Sequence, residues 1–100
     1  MRVIGADEDP RTIELRRAVA RLYRELAAHP ADLPDRAVAE EELTALGVMA
    51  AAGAPEPAAL RHSLLLLVGA IGSVSALALA LDLLRRAIDL FGDPPPRGRG

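Results

Sequence analysis

Cysteine, tryptophan and lysine are absent from this chain, and its aromatic residues are reduced to Tyr23 and Phe91. Without cysteine there can be no disulfide, thiol nucleophile, iron–sulfur cluster or cysteine-bound zinc, so the fold must be held by burial alone. With so few aromatics the core must be aliphatic. A strong charge of either sign is also missing: the net charge is −2 with both signs interspersed, whereas a general nucleic-acid binder shows a basic excess on one face. No secretory signal opens the chain, because Asp7, Glu8 and Asp9 stand where a basic region and an apolar stretch are needed. The cytoplasm is therefore the expected compartment. What is present is apolar: 51% of the 100 residues, mostly alanine and leucine, enough for the modest core of one domain.

Helical punctuation runs along most of the sequence. Asp9-Pro10 pairs an N-cap acceptor with proline at the first helical position, and His29-Pro30 closes the segment, predicting a helix over about 10–28. Its apolar residues Leu15, Ala18, Val19, Leu22 and Leu26 recur at spacings of three and four, with arginines on the other side. Pro34-Asp35 starts a second helix over 34–52, with Ala39, Leu43, Leu46 and Ala50 as its stripe and Gly53 as its C-terminal cap. The short link between the two predicts an antiparallel hairpin.

Beyond the stiff Ala54-Pro55-Glu56-Pro57 break, helical periodicity continues from Pro57 to Phe91 and predicts one long third helix. Such a rod is roughly 50 Å long against roughly 28 Å for an arm of the hairpin, so the hairpin cannot cover it. Gly69 and Gly72 mark a place where it can kink, so two shorter helices are the alternative reading of the segment. Leu60, Leu64, Leu67, Ile71, Val74, Ala78, Leu81 and Ile88 form one seam, while Ala70, Leu77, Leu84 and Phe91 form a second stripe. Two stripes on one rod imply partners on two sides. Residues 93–100, with three consecutive prolines and two Arg-Gly pairs, predict a disordered tail outside a single helical domain spanning 1–92.

The run from Ser63 to Leu81 is uncharged and close to the ~20 residues that span a bilayer, so residues 63–81 also support an alternative reading as a membrane-inserted segment. Against this, the seam continues past the run into the charged turn containing Asp82, Arg85, Arg86 and Asp89, and neither flank carries an aromatic belt. A packed helix explains both features better.

Catalytic and metal-binding patterns are missing. His29 and His62 have no partner at ligand spacing, and the successive carboxylates Glu40, Glu41 and Glu42 diverge by about 100° per residue on a helix and cannot converge. Arg17, Arg21 and Arg24 form a basic line, with Glu14 and Glu25 close enough to pair with it. No glycine-rich phosphate loop follows a strand, and no serine has a base at useful spacing. The expectation is a protein without cofactor, metal, nucleic-acid partner or enzymatic activity.

Four motifs, Asp7-Glu8-Asp9-Pro10-Arg11, Leu33-Pro34-Asp35-Arg36, Gly72-Ser73-Val74-Ser75-Ala76-Leu77 and Leu90-Phe91-Gly92, carry a resemblance over nearly the whole chain. The sequence resembles a family of short actinobacterial proteins known as a domain of unknown function. The resemblance implies a bacterial cytoplasmic protein encoded as a stand-alone chain, and it transfers no catalytic or binding residue.

The sequence thus predicts an all-α, three-helix bundle-like protein: a hairpin packed on a long C-terminal helix whose overhang is covered by a second copy. Its expected role is that of a protein–protein interaction or oligomerisation module. The interface expected for the dimer, or for an unidentified protein partner, comprises Leu60, Leu64, Leu67, Ala70, Ile71, Val74, Leu77, Leu81, Leu84, Ile88 and Phe91.

Overall fold

Aspartate and proline open the first helix as their chemistry dictates. In the computed structural model, which describes residues 9–92, the Asp9 carboxylate accepts the Arg11 backbone N–H at 2.9 Å, and Pro10 takes a position where a missing N–H costs nothing. Helix α1 spans Pro10–Ala28 and buries Thr12, Leu15, Ala18, Val19, Leu22 and Leu26. His29, held extended before Pro30, ends it.

Helix α2 spans Arg36–Ala51, slightly later than the expected start at 34, and Asp35 makes no side-chain cap. Arg36 serves the preceding helix instead. Its guanidinium donates to the carbonyls of Leu26 at 2.6 Å, His29 at 3.0 Å and Ala31 at 3.3 Å, satisfying acceptors that the end of α1 leaves open. One side chain thereby closes α1 and fixes the return of the chain into α2. The buried stripe of α2 is Ala39, Leu43, Leu46 and Ala50, as the periodicity predicts. Gly53 follows with φ of 89°, a left-handed conformation that glycine adopts without a Cβ penalty.

The expected single helix over 57–91 is not formed. The chain builds α3 over Pro57–Ile71, turns at Gly72 and Ser73, passes through an extended Val74 and a 3-10 turn at Ser75–Leu77, and continues as α4 over Ala78–Gly92. The break falls at one of the two glycines that mark a kink. A Cβ at position 72 would run into the Val68 carbonyl oxygen, so the backbone here takes a course that glycine alone permits without adjustment. Energetics explain the fold-back: a straight rod leaves half its seam in water, whereas a reversal buries both halves within the chain, at about 1.5–3 kcal/mol per fully buried leucine or isoleucine.

The four helices form a ring in which α1 packs on α2 and α4, and α3 packs on α2 and α4. Two end-to-end contacts show that α4 runs antiparallel to both its neighbours: Arg11 near the start of α1 stacks 4.9 Å over the Phe91 ring, and Arg61 in α3 donates to the Gly92 carbonyl at the end of α4, while short connections return α1 into α2 and α2 into α3. This is an up-down-up-down four-helix bundle, one helix more than expected. Its core is aliphatic, with Leu15, Leu22, Leu43, Leu46, Leu60, Leu67, Ile71, Leu77, Leu84 and Ile88 all at or near zero exposure. No strand occurs among the described residues. The tail expected at 93–100 lies outside them.

Candidate interaction interface

The residues expected to meet a second chain are already occupied. Leu60, Leu67, Ile71, Leu77, Leu81, Leu84 and Ile88 are buried in the core of the single chain, and Leu64, Ala70, Val74 and Phe91 are half-buried against it. Ala78, placed on the seam by spacing, is exposed. The overhang that motivated a partner on these side chains disappears with the fold-back, because the stripes expected to face two sides now meet in one interior. The reading of 63–81 as a bilayer span is corrected by the same break: those residues are the end of α3, a turn and the start of α4. Among the described residues no helix is long and apolar enough to cross a membrane.

What remains outside is more informative. Leu65 is 70% exposed, Val68 46% and Leu66 39%, all on the outward side of α3, and Leu79 beyond the turn is 60% exposed. Gly69 sits among them with open space around its Cα, so another backbone can approach closely. Beside this face, between α3 and α4, lies a trough of about 190 Å³ with Leu64, Val68, Gly72, Ala78 and Leu81 along it and Asp82 and Arg85 at its far end. A protruding leucine thus adjoins an apolar recess. Leu65 and Leu66 lie on neither stripe of the sequence pattern. Their position off both stripes is the one signal that could have marked them.

Between the exposed Leu79 and Leu90, the outward side of α4 has the opposite character. Asp82 is bridged by Arg85 and, at 3.0 Å, by Arg86. The hydrogen bond from Arg85 holds the Asp82 carboxyl below its usual range, with the nearby Arg86 and Arg85 charges adding to it. At the start of α1, the hydrogen bonds from Arg11 do the same for Asp9 and raise the Arg11 guanidinium in turn. These exposed pairs orient side chains along the surface of their own helices. Glu40 and Glu41 are exposed on α2, Glu42 is half-buried, His29 is half-buried at the end of α1 and His62 is exposed on α3. Among the described residues no three histidine or acidic side chains converge as metal ligands do.

Bundle and surface together define a class: a small all-helical protein with an aliphatic core and, among its described residues, an unpartnered apolar face on one helix. Over residues 5–92 the chain matches a family of unknown function, DUF5955, and it belongs to that family. No curated protein and no solved structure matches it.

Proposed function

We propose that this chain is a non-catalytic cytoplasmic assembly module that pairs with a second copy of itself through the outward face of α3. One observation carries the reading: Leu65 stands 70% exposed next to exposed Leu66 and Val68, beside a trough of its own chain that is apolar apart from Asp82 and Arg85. Leu65, Leu66 and Val68 with their neighbours make a patch on the order of 300 Å², a size at which exposed apolar surface on a monomer commonly marks a contact site. Two such patches supply about 600 Å², so the roughly 1,200 Å² of a specific interface requires the trough and the flanking residues as well.

Self-pairing is favoured by the chemistry of the face. Leu65, Leu66 and Val68 carry no charge, so a two-fold contact centred on them sets no like charges together at its middle, and a two-fold axis lets each Leu65 enter the apolar part of the other copy's trough. Ultracentrifugation or light scattering at tens of micromolar tests this. The wild type is expected to sediment as a dimer, and Leu65→Glu as a monomer with unchanged helical circular dichroism. A monomeric wild type, or a dimer that survives Leu65→Glu combined with Leu66→Glu, would overturn the reading.

A further inference from the structure

A second surface, away from the α3 face, has a different composition. Between α1 and α4 runs an open groove of about 320 Å³. Its floor is apolar: Ala18 and Ala87 keep it deep, and Leu83 and Leu90 line it from α4. Its walls are basic on both sides, with Arg17 and Arg21 on α1 and Arg86 on α4, against the single carboxylate of Glu14. The volume accommodates a few aliphatic side chains and is small for a nucleotide cofactor.

We infer that this groove docks an acidic amphipathic helix of a partner protein, with apolar side chains on the floor and glutamate or aspartate residues reaching the arginines on either wall. Charge complementarity selects this occupant. Arginines flanking an apolar floor on both sides match a helix whose apolar ridge is bordered by carboxylates on both sides, and guanidinium groups bind carboxylates in bidentate fashion. The present partners of these arginines lie along their own helices: Glu14 at 3.4 Å from Arg17, Glu25 at 2.9 Å from Arg21 and Asp82 at 3.0 Å from Arg86. Surface pairs of this kind contribute little, so exchanging them for a partner's carboxylates costs little. A polyphosphate backbone leaves the apolar floor unused, and a flat bilayer cannot enter a concave groove. A second copy's α3 face offers no carboxylate to the walls.

The test uses the full chain and two synthetic helical peptides with the same leucine ridge, one flanked by glutamates and the other by lysines. The glutamate peptide is expected to bind about tenfold or more tightly than the lysine peptide, to weaken with added salt, and to shift the methyl resonances of Leu83 and Leu90. Arg17→Glu combined with Arg86→Glu should invert the preference toward the lysine peptide, and Leu90→Ala should weaken both without inverting it. Leu65→Glu should leave glutamate-peptide binding unchanged, which separates this groove from the self-pairing face. Equal binding of the two peptides, methyl shifts elsewhere, or a retained glutamate preference in the charge-reversed variant would overturn the inference. So would decanoate shifting the same methyls when the glutamate peptide does not, which would assign the groove to a small amphiphile.

Discussion

Helices α3 and α4 are cut from one apolar stretch, yet they show water opposite faces. Each buries an aliphatic stripe, Leu60, Leu67 and Ile71 in one and Leu81, Leu84 and Ile88 in the other. Outward, the middle of α4 presents Asp82, Arg85, Arg86 and Asp89 linked by ion pairs, with exposed leucines only at Leu79 and Leu90 near its ends, whereas α3 beyond Arg61 and His62 presents Leu65, Leu66 and Val68 side by side. The inward similarity is what any bundle requires. The outward difference is what the proposed self-pairing uses, because the exposed leucines and valine of α3 are contiguous whereas those of α4 stand apart.

The comparison breaks first at the core, where the two helices should behave alike. Leu67→Ala and Leu84→Ala each remove a fully buried side chain and should each lower stability by about 2–5 kcal/mol in chemical denaturation; a large gap between them would mean that one helix is peripheral. Next comes the frame that holds the pair. Arg36→Ala leaves the Leu26 and His29 carbonyls without their charged donor and should lose about 1–3 kcal/mol, read as a lower melting temperature.

Two glycines three residues apart should then give opposite signs. Gly72→Ala places a Cβ against the Val68 carbonyl oxygen and should destabilise by about 1–2 kcal/mol. Gly69→Ala meets open space inside a helix and should stabilise by up to about 1 kcal/mol. The smallest effect belongs to α4 alone. Arg85 lowers the Asp82 pKa in the folded state, so this carboxylate adds stability above the unfolded aspartate pKa and loses it as pH falls through the lower folded value. A carboxyl titration by NMR should place Asp82 below an ordinary aspartate, and Arg85→Gln should return it upward.

Much of the fold was legible because local chemistry agreed with tertiary packing. The boundaries of α1 follow from Asp9-Pro10 and His29-Pro30, and the buried stripe of α2 is the one its spacing predicts. Gly69 and Gly72 marked where the third segment could divide, but the full reversal after Gly72 was not legible. Ser73, Val74, Ser75 and Ala76 contain no proline, and apolar spacing from Ile71 through Val74 to Leu81 keeps its steps of three and four across the turn. Periodicity measures the phase of side chains and is blind to a reversal that preserves phase. The exposed face of α3 was hidden for a related reason: Leu65 and Leu67 are the same residue type, and only the position of α2 and α4 decides that one is shown and the other covered. Arg36 was missed because its role is to the helix before its own.

The joint at Gly72–Val74 also sets how copies of this chain can exchange parts. Gly72 itself stays in the helical region of backbone space, while Val74 is extended, with φ of −86° and ψ of 101°. Relaxing so short a hinge into helix would join α3 to α4 in a straight line and release the C-terminal cylinder from its own molecule. Its vacated berth against α1 would then accept the same cylinder from a neighbour, giving an intertwined pair assembled from native contacts alone.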